Sequence, residues 1–159
     1  MDALDALRPR SPDYARLPIA DAFDWGAAGE ALGTGEWYMV AFRSIRRADA
    51  DERMLTEYDD RAHAEAAAAP GYRFYFKGPL SRDGTCLSFC IWESRAAARA
   101  AAGQPLHAEA AALVGRMYER YTLEFLRLRR EAGGPLTFEP YDPPPPPVAT
   151  DVSPAPSPA

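Results

Sequence analysis

The sequence predicts an α+β domain with the element order βαββαβ built around one antiparallel sheet. Four short runs rich in aromatic and β-branched residues are interleaved with two alanine-rich stretches whose apolar positions recur at steps of three and four. The second and third runs are joined by Asp83-Gly84, a hairpin signal, with no helical stretch between them.

Taken in order, residues 1–34 form a lead-in interrupted by Pro9, Pro12 and Pro18, in which Ala20 to Trp25 makes a short turn that pins Phe23 and Trp25 onto the body. The first strand is Trp37 to Arg43. Asp49 and Glu52 then stand as a capping box, and Leu55, Tyr58, Ala62, Ala66 and Ala69 fall on one stripe of a helix that Pro70-Gly71 ends. The second strand is Tyr72 to Lys77. The third, Thr85 to Trp92, alternates: Leu87, Phe89 and Ile91 point one way, Cys86, Ser88, Cys90 and Trp92 the other. Ser94 caps a helix from Arg95 to Ala102. After Gly103-Gln104, Pro105 starts a further helix that runs to about Arg120 with Leu106, Ala110, Leu113 and Met117 inward. A last strand spans Tyr121 to Arg129. The order is the ferredoxin-like one. It divides the chain into the lead-in, an α+β domain over 35–131, and a Pro-rich, largely disordered tail over 132–159, where Pro143 to Pro147 favour an extended, unpacked conformation.

Composition narrows the function. Apolar residues make up 47% and charged residues 26% of 159, the balance of a water-soluble globular chain. A net charge of -5 argues against binding nucleic acid through its backbone. No apolar run approaches the roughly 18 residues of a membrane helix, and the acidic start, Met1 to Asp5, lacks a signal core. Cys86 and Cys90 on one strand lie about 13 Å apart, too far for a disulfide, with no partners for a zinc motif. Two buried, inert thiols fit a reducing cytoplasm. No phosphate loop, nucleophile elbow or carboxylate pair is present.

Two helices cover one face of a four-stranded sheet. The face assigned away from them carries Trp37, Met39, Ala41, Tyr75, Ser88, Cys90 and Trp92, with Arg43, Arg73 and Lys77 at its margin. That face is too apolar to leave wet, and a two-fold homodimer with facing sheets is the economical cover. A cavity between or beside the sheets would be lined by these residues. In it Trp92 either stacks on a small, flat aromatic molecule or fills core, Ser88 and Tyr75 either bind a ligand or satisfy and pack the interior, Trp37 lines the same face, and Arg43 either clamps a ligand or makes a surface salt bridge. His107, at the start of the second helical region, is either a base near neutral pH or a partly exposed histidine of the helix cap. His63, beside Asp59, Asp60 and Arg61, reads as part of a solvated face.

The element order, Trp92-Glu93-Ser94 at the end of the third strand, and the segment through Pro105-Leu106-His107 resemble the dimeric α/β-barrel superfamily in the manner of antibiotic-biosynthesis monooxygenases. The strand Trp37 to Ser44 is similar to that of a subgroup with no assigned reaction. The resemblance covers about residues 36–130. It implies oxidation of a flat aromatic or polyketide-like molecule without metal or flavin. The alternative is a non-catalytic binding or stress-related module of the same fold. The matching tryptophan is Trp92, but the family's asparagine and tyrosine positions hold Ser88 and Ala98, and its helical arginine falls near Ala112 with Arg116 one turn on. Haem-degrading relatives carry a ligand histidine on the second helix. His107 stands about one turn early, with Ala111 at the matching position, which disfavours haem.

Overall fold

In the computed structural model, which describes residues 3–142, a five-stranded antiparallel sheet has the order β2-β3-β1-β4-β5. Its strands are β1 (Gly35–Arg46), β2 (Tyr72–Phe76), β3 (Thr85–Trp92), β4 (Tyr118–Arg130) and β5 (Thr137–Pro140). The helices are α1 (Ile19–Ala22), α2 (Trp25–Leu32), α3 (Glu52–Ala67), α4 (Arg95–Ala102), α5 (Pro105–Ala112) and α6 (Val114–Met117). From β1 to β4 this is the expected ferredoxin-like α+β architecture. Pro143 to Pro147 and the rest of the Pro-rich stretch to residue 159 lie outside the described residues.

Local chemistry accounts for most boundaries. The cap of α3 is Asp51, whose carboxylate accepts from the Met54 amide at 3.0 Å, while Asp49 pairs with Arg47 at 3.1 Å. The expected capping box on Asp49 is therefore displaced by two residues. Ser94 caps α4 through the Ala97 amide as expected. β1 continues to Arg46, and β4 starts early, at Tyr118, to pair with it. Thr137–Pro140 forms an edge strand on β4, a position where proline's missing amide does not weaken the ladder.

The faces differ from the expected assignment. Tyr38, Val40 and Phe42 lie opposite Trp92, Cys90 and Ser88. Residues directly across an antiparallel pair share a face. Trp37, Met39 and Ala41 therefore belong with Leu87, Phe89 and Ile91 on the other side. The first strand is inverted relative to expectation, and helices α3 to α5 stand over the face that carries Ser88, Cys90 and Trp92. The indole of Trp92 packs beneath the chain's own helix, with Ala98 and Ala101.

The opposite face, which the sequence assigns to a twin subunit, is covered by the lead-in. Leu4, Leu7, Ile19, Phe23, Trp25 and Leu32 are buried against it. Phe23 is fully buried and meets Tyr14, Trp25, Phe76 and Phe89 edge-on at 4.9–5.8 Å between centroids. Trp25 donates its indole N–H to the Ile19 carbonyl and tilts against Phe138 of β5. With this face filled in cis, an uncovered sheet no longer argues for a homodimer. The apolar content of the lead-in is plain in the sequence, but its prolines break up any periodic pattern that would mark it as core.

Candidate functional site

Between the sheet and helices α3, α5 and α6 lies a cavity of about 260 Å3. Alternation along the strands builds its floor: Phe42, Ser44 and Arg46 from β1, and Cys86, Ser88 and Cys90 from β3, with Trp92 at one end. Helical spacing builds the walls. Leu55, Tyr58, Ala62 and Ala66 line it from α3, the stripe expected from sequence, and His107 and Ala110 from α5.

One wall is polar. The Tyr75 hydroxyl donates to Asp59 at 3.1 Å, and the Lys77 ammonium stands 2.9 Å from the same carboxylate. The His63 ring lies 4.6 Å from the Tyr75 ring, and its Nε2 is 3.1 Å from the Tyr72 hydroxyl. Burial, then the Asp59 charge, pushes the Tyr75 hydroxyl far above the ordinary phenol range. Burial moves Tyr72 up to about 12 and raises Tyr121 as well. These phenols remain neutral at physiological pH, with Tyr75 giving its proton to Asp59 and Tyr72 paired with His63. Burial also pushes the Cys90 thiol up to about 11 and raises Cys86.

Four of the six residues expected at the site line this cavity: His107, Trp92, Tyr75 and Ser88. Trp92 is 3% exposed, and its indole N–H donates to Cys90 Sγ at 3.0 Å. Ser88 Oγ accepts from the Gly78 amide at 3.0 Å and lies 3.7 Å from Cys86 Sγ, whose own proton goes to the Gly78 carbonyl. The His107 imidazole has no hydrogen-bond partner among the described residues, while its backbone amide donates to Glu65 at 3.1 Å.

The other two lie on the far face. Trp37 is in the core beneath the lead-in. Arg43 donates to the carbonyls of Ala15 and Leu17, each at 2.7 Å, and is ion-paired to Glu124, so its guanidinium fastens the lead-in to the sheet. The inverted strand parity that displaces them also puts Arg46 on the cavity side. His63 and Asp59, expected on a solvated face, both line the cavity. Their spacing of four residues, flanking the apolar stripe, is the signal the sequence holds for this. Among the described residues no group of three or more His, Cys, Asp or Glu is placed to hold a metal ion, and no helix is long and apolar enough to cross a membrane.

A family model described as PB2B2.08-like matches residues 1–140, a span that includes the lead-in. The UPF0643 protein PB2B2.08 of Schizosaccharomyces pombe is 29% identical over 150 residues, covering 83% of this chain and 68% of that protein. Among solved structures, Rv0793 of Mycobacterium tuberculosis superposes with a TM-score of 0.50 at 24% identity, over 60% of this chain and 95% of that one. A Nitrosomonas europaea protein provisionally named an antibiotic biosynthesis monooxygenase gives a TM-score of 0.50 at 12% identity, over 56% of this chain and 86% of that one. At these identities the likeness is one of fold alone.

Proposed function

The chain belongs to the PB2B2.08-like family, and we propose that it binds a small, flat aromatic or polyketide-like molecule between its sheet and its helices and oxidises it without metal or flavin. The observation that carries this is the apolar cavity with its one polar wall: Tyr75, Asp59, His63 and Tyr72 converge beside Trp92 and an unengaged His107. The monooxygenase-like fold supports the reaction class by analogy alone. Size supports the substrate class. Scaled from the roughly 150 Å3 cavity that holds one benzene ring, about 260 Å3 suits a two-ring aromatic.

In the proposed reaction His107 takes a proton from an acidified methylene or hydroxyl of the substrate. The Ser88 hydroxyl, turned from its weak 3.7 Å contact with Cys86 Sγ, holds the anion's oxygen, and the apolar helices exclude water. The substrate anion itself reduces dioxygen. For an acidified methylene, both C–H bonds and the O–O bond break. One oxygen atom forms the new carbonyl on that carbon, and the other takes up both hydrogens and leaves as water. The carbon supplies the electrons that reduce both oxygen atoms, so no further reductant is needed.

A second reading has its own support. The Trp92 indole N–H and Ser88 Oγ are both engaged within the fold, which suits a binding module that performs no chemistry. An oxygen electrode separates the two, using the full chain with 2-tetralone and dihydroxynaphthalenes and fluorescence titration in parallel. The oxidase reading expects saturable oxygen uptake that His107→Ala lowers by about a hundredfold or more. Saturable binding without uptake leaves the binding module alone, and absence of binding overturns both.

A further inference from the structure

We infer that the ligand of this cavity carries a carboxylate beside its ring system, and that Arg46 receives it. The inference rests on the cavity being a binding site for a flat aromatic molecule, as proposed above. Arg46 ends β1 on the cavity side, with its side chain 21% exposed. Its Nε is buried and has no hydrogen-bond partner among the described residues. A buried cationic N–H left without an acceptor is costly, so this guanidinium is under-satisfied, and a carboxylate meets it on the part that remains exposed.

Two other arginines, Arg95 and Arg127, also have a buried, unpartnered Nε. Neither lines the cavity, and both guanidinium groups lie over the Tyr141 ring, at 5.0 and 4.8 Å. Arg46 is thus the one of the three that faces a space a ligand could fill.

Charge points the same way. The cavity is lined by Arg46, Lys77 and Asp59, and the last two neutralise each other at 2.9 Å. The ion partner of Arg46 is Glu52, 3.5 Å away with its side chain 75% exposed, a water-screened pair that leaves much of the guanidinium charge uncompensated. Ser44 and Tyr118, the latter opposite Arg46 in the β1–β4 register, add hydroxyls at the same end. Trp92 and the His63–Tyr72 pair lie toward the other end of the strands, since Trp92 is across from both Tyr38 and Tyr72. The arrangement orders the ligand: rings toward Trp92 and His63, acid toward Arg46. A planar carboxylate suits the guanidinium fork.

The test compares two probes of one shape, 2-naphthoate and the neutral 2-naphthalenemethanol, by calorimetric titration of the full chain at neutral pH. The acid is expected to bind at least ten times more tightly. Arg46→Gln is expected to bring the ratio to about one while the alcohol's affinity holds, and Arg46→Lys to retain part of the preference. Equal binding of both probes by the native chain overturns the carboxylate assignment and leaves the aromatic site standing. Failure of both probes to bind overturns the carboxylate assignment and the aromatic site together. The native-chain ratio decides the matter even if the Gln variant does not fold.

Discussion

Replacing Phe23 by alanine tests whether the lead-in is core or decoration. The ring is fully buried and held by Tyr14, Trp25, Phe76 and Phe89. Phenylalanine-to-alanine changes at such sites cost about 3–5 kcal/mol, from lost transfer free energy and from the cavity left behind. With rigid rings on four sides the site does not close up fully, which places the expected loss at about 4 kcal/mol, the middle of that range. For a chain of this size each kcal/mol lowers the melting temperature by about 2–4 °C, so the shift should be about 8–16 °C. Urea denaturation followed by far-ultraviolet circular dichroism, with thermal melts beside it, measures both quantities. A loss below about 1 kcal/mol, the ordinary level for an unremarkable substitution, would show that residues 3–34 are not part of the sheet's core and would restore the case for a second subunit on that face.

Two further outcomes follow from the geometry. Asp51→Ala should lower stability by about 1 kcal/mol through the lost α3 cap, whereas Asp49→Ala should change it by less than about 0.5 kcal/mol; paired urea titrations check the contrast. Burial raises the Cys90 thiol to about 11 and lifts Cys86 as well. An acid whose folded pKa is raised stabilises the fold below its unfolded pKa of about 8.5 and loses that contribution as pH climbs to the folded value. Unfolding free energy should therefore fall between about pH 8.5 and 11. A Cys86→Ser/Cys90→Ser variant should show a flatter profile there, and an unchanged slope would contradict the burial argument.

The βαββαβ order is legible because each strand carries aromatic or β-branched runs and each helix a clear stop, such as Pro70-Gly71 or Gly103. The sheet's sidedness is not. Every second residue of β1 is apolar on both faces, Trp37, Met39 and Ala41 against Tyr38, Val40 and Phe42, so alternation gives no preference and only the register against β3 decides it. This one ambiguity misplaces Arg43 and Trp37 and hides Arg46. His107, Trp92, Ser88 and Tyr75 emerge from the sequence because β3 carries contrasting faces and α5 has a defined start at Pro105. β5 escapes notice because Pro135 and Pro140 bracket a short edge segment that looks like linker.

The docking of Trp25 against Phe138 sets a schedule for biosynthesis. Trp25 leaves the ribosome well before Phe138, yet its resting place is not complete until β5 has been made. In the interval Phe23 and Trp25 are bare and the half-built sheet is open on the same side, so a nascent chain stalled before β5 should be a good client for chaperones that hold exposed aromatic segments.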